Sequence, residues 1–263
     1  MRKDLFPEFT EENQDKYDNE KTTIILLGQD PALVRECVDT LVKNTENLPE
    51  ILLGHTDRFY SLFEGRFPEC RLFDLGYWNY SKNNNYLASQ TDAGKLIFMN
   101  DDIFVAPGWL EPMLEALDNP EVGEVGIQLR FPSEKIQHAG VIYKDNRADQ
   151  PVHAYIGSPV FSKNVNSPAV FPAVTAACIG MKHSLFDAIG GFNEDYLVEV
   201  QDVDLSVKVW AYGKKVLYIP NSVAYHLTAE TRKDNTSYKI IAKDRKLLKD
   251  RTEQFCKEYG FIK

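Results

Sequence analysis

Thr22-Thr23-Ile24-Ile25-Leu26-Leu27-Gly28, followed at once by Gln29-Asp30-Pro31, is the stretch that decides the fold. Its short, continuous apolar run is the pattern of a strand buried on both faces. Asp30 then reads as a helix N-cap and Pro31 as the first helical residue. Leu33, Val34, Cys37, Val38, Leu41 and Val42 recur at helical spacing behind them. Glu50-Ile51-Leu52-Leu53-Gly54 is a second buried strand. Strand, helix and strand in this order imply a parallel sheet with right-handed crossovers.

The same grammar continues outward. Cys70–Phe73 reads as a short strand, Ser81–Thr91 as a polar helix, and Lys95–Met99 as a strong strand ending abruptly in Asn100-Asp101-Asp102. Pro107–Leu117 is a further helix, and Val122–Leu129 and Gly140–Tyr143 are strands. Residues 144–170, rich in Asn, Asp, Ser and Pro, are expected to be a long loop. Loops of that length tend to be functional, and this one, with His138 and His153 near its edges, is a candidate cover for an acceptor. A helix at His183–Ile189 stops at Gly190-Gly191. Gln201-Asp202-Val203-Asp204-Leu205 opens another that runs to Tyr212-Gly213. Lys215–Pro220 is a strand, Val223–His226 a short extended piece, and Ser237–Tyr259 a helix stopped by Gly260.

Thirty basic and thirty-nine acidic residues give a net charge of -9, which argues against a general nucleic-acid binder. The charge is uneven. Residues 1–20 carry net -4 and are expected to be a flexible acidic leader, whereas residues 231–263 carry net +5. That basic end is a candidate for contact with anionic lipid. Cys37, Cys70, Cys178 and Cys256 form no CxxC pair, so neither a zinc knuckle nor a disulfide framework follows. Met1–Pro7 has no apolar core of a secretory signal, and the apolar stretch Pro168–Met181 is too short to span a bilayer. A cytoplasmic protein is expected, with peripheral contact at the inner face of the membrane. No GxGxxG follows any strand, which argues against a dinucleotide oxidoreductase. No glycine-rich basic loop follows the first strand, which argues against a sugar-nucleotide pyrophosphorylase.

Three constellations carry chemistry. Asn100-Asp101-Asp102 stands directly after a buried strand, where open α/β sheets bind ligands. Adjacent carboxylates there suit Mg²⁺ or Mn²⁺, which complete their shells with substrate phosphates and water. The same triplet also reads as a turn leading to the next helix. Glu199, Gln201, Asp202 and Asp204 surround a helix start, where the dipole favours acidic side chains. Residues at i and i+2 do not share a helix face, so one carboxylate can face a substrate while the other serves the scaffold. His226 is isolated and reads equally as a structural histidine, but a neutral imidazole is a good further ligand for a divalent ion.

Taken in order, these pieces, with Pro107-Gly108-Trp109-Leu110, Gly190-Gly191-Phe192-Asn193-Glu194, Gly213 and Pro220, resemble the family 2 glycosyltransferases of the GT-A fold. The branch resembled builds bacterial surface polysaccharides and includes rhamnosyl- and related sugar transferases. Asn79–Asn85, Ile136-Gln137-His138-Ala139-Gly140, Thr175-Ala176-Ala177-Cys178 and Thr231-Arg232 support it, and the likeness covers Thr22 to Gly260. It implies an α/β fold: a Rossmann-like, mostly parallel central sheet flanked by helices over residues 21–230, with a C-terminal helical extension, 231–263, packed on it. It implies an inverting transferase that uses Mn²⁺ or Mg²⁺ to move a sugar from a UDP or dTDP donor to a hydroxyl of a glycan or lipid-linked acceptor. Asp202 matches the catalytic base; Asp102, His226 and Asp101 match the metal site. Gly28, Asp30, His55, Asp57, Asn79, Lys82, Asn84 and Asp101 fall at the nucleotide, and Asn100, His138, Thr175 and Gln201 at the donor sugar or acceptor. Two positions depart from the family pattern: Gly54-His55 stands where an aspartate usually reads the base, and Gln201 where a glutamate often precedes the base. They support an alternative, a non-catalytic sugar- or nucleotide-binding module that keeps the GT-A fold.

Overall fold

The computed structural model describes residues 1–56, 60–227 and 238–263, with only the backbone of Tyr60 and Ser61; Asp57 and Thr231-Arg232 lie outside the described residues. Strand β1 (Asp18–Leu27) leads to helix α1 (Pro31–Asn44), β2 (Glu50–His55), the single turn α2 (Tyr60–Phe63), β3 (Cys70–Asp74), α3 (Tyr80–Ala88) and β4 (Ala93–Asn100). β1 pairs in parallel with β2 and β4, and β2 with β3. Ile25 and Leu27 enter one apolar layer while Ile24 and Leu26 enter the layer on the other face. Burial on both faces is why the run is continuous rather than alternating.

The chain continues as β5 (Ile103–Val105), α4 (Glu111–Asp118), β6 (Val122–Arg130), β7 (Ile136–His138), β8 (Val141–Tyr143), β9 (Pro151–His153), β10 (Ala169–Val170) and β11 (Cys178–Lys182). Then come α5 (His183–Ala188), α6 (Gln201–Tyr212), β12 (Lys215–His226) and α7 (Tyr238–Glu258). The main sheet runs β10-β12-β6-β11-β4-β1-β2-β3, with β5 on β12 and β7 on β6. β6 and β12 are parallel to each other, and β11 lies antiparallel between β4 and β6. This is the expected α/β, mostly parallel sheet. β11, hidden within the apolar stretch Pro168–Met181, is a strand that the sequence reading did not separate. Lys215–Pro220 and Val223–His226 are one strand whose register shifts between Ile219 and Val223, around a proline that cannot donate to the ladder.

Residues 1–20 are not a flexible leader in the structure. Phe6 and Phe9 are buried, stack on each other at 5.2 Å and join the core beside Phe255. Arg2 N donates to Ala211 O at 2.9 Å. Two buried aromatic rings outweigh the acidic composition. Residues 144–170 are not one open loop either. β9 pairs with β8, β10 pairs with β12, and Ala148 and Val165 are fully buried. α7 lays Leu248, Phe255 and Cys256 against the body, while Ile240 and Ile241 are half-buried. Among the described residues no helix is long and apolar enough to cross a membrane.

Candidate active site

The C-terminal ends of β1 and β4 meet at Gly28 and Asp101. A Cβ on Gly28 would lie 2.2 Å from Val34 Cγ2 and 3.2 Å from Asp101 Oδ2, so only glycine fits. Gln29 N donates to Asp101 Oδ2 at 3.1 Å. Burial pushes the Asp101 carboxyl up to about 7; the Gln29 N–H opposes the shift and the neighbouring Asp102 charge adds to it. Asp30, one residue further, accepts from Ala32 N at 2.8 Å and Leu33 N at 3.4 Å and caps α1.

Asp102 is met from β12. Its Oδ1 lies 3.1 Å from His226 Nε2, at the far end of β12. Gln137 on β7 holds that imidazole: Gln137 Nε2 donates to His226 O at 3.1 Å, and Gln137 Oε1 is 2.6 Å from His226 Nδ1. With the amide oriented by the first bond, Nδ1 donates to Gln137 Oε1 and Nε2 is the ring nitrogen that faces Asp102. Among the described residues no three His, Cys, Asp or Glu side chains gather as a metal cage. One carboxylate and one imidazole instead form a half-site, which suits an ion that takes its remaining ligands from phosphate and water. Asp102 and His226 fit a divalent ion; Asp101 accepts from the Gln29 N–H through Oδ2.

Asp202 is brought in by the segment Val174–Ala177. Val174 N donates to Ser206 Oγ at 3.3 Å, Thr175 N to His138 Nε2 at 3.4 Å, and Ala176 N to Asp202 Oδ2 at 3.2 Å. Tyr80 Oη donates to Ala176 O at 2.9 Å, and Asn100 N to Ala177 O at 3.0 Å. Four short residues thus tie α3, the end of β4, β7 and α6 together. Asp202 sits two residues after Val200, whose φ of 63° is a strained value for a β-branched residue. Gln201 Oε1 is buried with no hydrogen-bond partner among the described residues. His138 is buried, which pushes its imidazole well below its usual range. Its Nε2 also accepts from Gly140 N at 3.2 Å, so the proton is on Nδ1, 3.3 Å from His153 Nδ1. His138 therefore anchors backbone.

Gly28 N donates to Gly54 O at 3.0 Å, so the end of β2 adjoins the Gly28 turn. The His55 ring is fully buried and stacks on Phe63 with centroids 4.7 Å apart, because the residue ends β2 with its side chain on the core face. An aspartate at Gly54 would require leucine side chains to move: its Cβ would meet Leu75 Cδ1 at 2.5 Å and Leu27 Cδ2 and Leu87 Cδ1 at 2.9 Å. Asn84 is buried and donates to Tyr80 O at 3.0 Å. Asn79 caps α3 by accepting from Lys82 N at 2.8 Å. Lys82 is exposed on a cavity of about 490 Å³ lined also by Tyr77, Tyr86 and Glu194.

Gln137, Tyr80, Ser206 and Glu124 escaped sequence reasoning. Glu124 is fully buried on β6 and accepts from Ser206 Oγ at 2.7 Å. Burial pushes its carboxyl up to about 8, and the Asp202 charge adds to the shift. A lone acid inside an apolar strand was the available signal.

The model of the family described as Glycosyl transferase family 2 matches residues 24–190. The chain belongs to glycosyltransferase family 2. Over 234 residues it is 29% identical to the O-antigen biosynthesis protein RfbC of Myxococcus xanthus, a match covering 81% of this chain but only 18% of that protein. It is 26% identical over 226 residues to the N-acetylglucosaminyl-diphospho-decaprenol L-rhamnosyltransferase of Mycobacterium tuberculosis, covering 74% of this chain and 72% of the other. The fold matches GalNAc-T7, solved with UDP, GalNAc and Mn²⁺, with a TM-score of 0.65 and 13% identity, over 79% of this chain and 44% of that one. The family 2 chain has the GT-A fold.

Proposed function

We propose that this family 2 chain is an inverting, divalent-metal-dependent glycosyltransferase of cell-surface polysaccharide synthesis. Its donor is a UDP- or dTDP-sugar and its acceptor a hydroxyl on a glycan or lipid-linked glycan. The observation that carries the reading is the Asp102–His226 pair, 124 positions apart in sequence and 3.1 Å apart in space, at the end of the sheet where Gly28 and Asp101 meet. The RfbC and rhamnosyltransferase relatives support the polysaccharide setting.

Asp102 and His226 would hold Mn²⁺ or Mg²⁺, with Gln137 fixing the imidazole. A divalent ion bound there offsets the charge that develops on the departing diphosphate. Gly28 lets backbone approach the nucleotide, and Asp101 fixes that turn through Gln29 N–H. Asp202 accepts the proton of the acceptor hydroxyl as its oxygen forms a bond to the anomeric carbon. The bond from that carbon to the diphosphate oxygen breaks on the opposite face, and the nucleoside diphosphate leaves with the bonding pair. Gln201 Oε1, without a hydrogen-bond partner among the described residues, is placed to accept from a sugar hydroxyl.

Calorimetric titration of UDP and dTDP into the protein and its Asp202→Asn variant, with Mn²⁺ and after chelation, tests this, followed by turnover of a nucleotide-sugar panel. Chelation is expected to weaken nucleotide binding in both proteins; equal binding after chelation would remove the metal role. Asp202→Asn should bind nucleotide like the parent yet lose transfer by ~10²–10⁴-fold. A folded variant with near-full transfer would rule out the base.

A further inference from the structure

Glu124 touches no part of the proposed chemistry, yet it is a fully buried acid directly beneath it. Ser206 Oγ–H donates to Glu124 Oε2 at 2.7 Å, which leaves the hydroxyl lone pairs free to accept from Val174 N at 3.3 Å. Ser206 and Asp202 are i and i+4 on α6 and share one face. A serine inside a helix has an alternative: its hydroxyl can donate to the carbonyl four residues back, here that of Asp202 itself. The Glu124 acceptor competes with that bond. When it wins, the hydroxyl is oriented to hold Val174, and with it the segment whose Ala176 N–H grips the Asp202 carboxylate.

We infer that Glu124 is a positioning residue for Asp202, acting through Ser206 and the Val174–Ala176 backbone. The inference rests on Asp202 being the base of the proposed transfer. It requires only an acceptor oxygen at position 124, so glutamine serves as well as glutamate, whereas leucine of similar size does not. Without that acceptor the Ser206 hydroxyl turns back to its own helix, Val174 N–H is released, and Asp202 loses the register of its Ala176 contact. A misplacement of about 1 Å can cost on the order of 100-fold in rate.

The test compares Glu124→Leu, Glu124→Gln and Ser206→Ala with the parent and with Asp202→Asn. Amide hydrogen exchange of the 173–177 segment is read in all of them. The kcat and donor KM are read as nucleoside diphosphate release from the best substrate of a UDP- and dTDP-sugar panel. Glu124→Leu and Ser206→Ala should speed exchange of the Val174 and Ala176 amides about tenfold and lower kcat about tenfold or more, with donor KM within about twofold. Glu124→Gln should restore both. Unchanged exchange in Glu124→Leu, or an equal loss of kcat in Glu124→Gln, overturns the inference. If Glu124→Leu does not fold, Ser206→Ala carries the same decision, since it removes the same contact with less volume. Full activity in Asp202→Asn would sink the base reading itself; activity lost there but retained in Glu124→Leu and Ser206→Ala would sink the positioning role alone.

Discussion

Asp30 and Asp204 are both acidic residues at the start of a helix, yet they do different work. Asp30 is exposed and bonds to Ala32 N and Leu33 N, two and three residues away. Asp204 is fully buried in the first turn of α6, where Tyr196 Oη donates to it at 3.1 Å and Arg251 Nε at 2.8 Å. Arg251 in turn reaches Glu8 at 2.9 Å, so one carboxylate joins α6, α7 and the N-terminal segment. The contrast extends across the sheet. Around β1 to β4, Asp30 and Asn79 each cap their own helix. Around β6, β11 and β12 they cross between elements: His138 to Thr175, Ser206 to Glu124, and Lys208 to the carbonyls of Ile189 and Gly191. The two helix caps rest on local geometry, the contacts around α6 on buried polar networks.

Asp204→Ala is the strongest way to test that contrast. It leaves Arg251 with Glu8 alone and removes the negative charge that favours ionisation of Lys208, whose ammonium burial has pulled down to about 8. Breaking a buried pair by removing one partner typically costs about 3–5 kcal/mol. Urea unfolding of the variant should show a loss of that order. A loss below about 1 kcal/mol would mean that the network is no more important than a surface cap.

Local geometry is also what a sequence displays. The β1–α1–β2 start was legible because a continuous apolar run, an Asp-Pro cap and a helical repeat each signal themselves within ten residues. Asp102 and His226 were singled out by their place in an ordered set, and the structure brings them together. The burial of the His55 ring was not legible, because its stacking on Phe63 is a tertiary contact with no signal at the end of β2. β11 was missed because Cys178-Ile179-Gly180-Met181-Lys182 lies inside a longer apolar stretch with no turn signal at its start. Glu124 and Ser206 are 82 positions apart, and their contact follows only from α6 packing over β6.

The Glu124 carboxyl adds a pH dependence of its own to the half built on β6, β11 and β12. In the unfolded chain it ionises near its usual 4.5; folded, it keeps its proton up to about 8, with Ser206 Oγ and the Asp202 charge as the groups acting on it. The folded state therefore binds more protons between those values. Its stabilising contribution is complete below about 4.5 and is lost as pH rises toward 8. The slope approaches about 1.4 kcal/mol per pH unit within that window. Stability curves of the parent and of Glu124→Gln, measured from pH 5 to pH 8, should converge toward acid and separate as pH rises, with Glu124→Gln the less pH-sensitive protein. Parallel curves would place the proton elsewhere.

Asp30 supplies the smallest expected effect and the cleanest check on the local half. Replacing an N-cap aspartate by alanine costs about 1 kcal/mol, and asparagine at the same place keeps an oxygen for the Ala32 N–H. Asp30→Ala should therefore lower stability by roughly that amount, whereas Asp30→Asn should stay within a few tenths of a kcal/mol of the parent. Because Asp30 is exposed beside Gly28, the same two variants also report on the nucleotide. If its only work is the cap, UDP and dTDP affinities follow stability, unchanged in Asp30→Asn. If its charge or its second oxygen meets the ribose, Asp30→Asn weakens nucleotide binding while leaving α1 intact. A destabilisation by Asp30→Ala as large as that of Asp204→Ala would break the comparison, because a two-residue contact on the surface would then hold as much of the fold as a bridge between three distant segments.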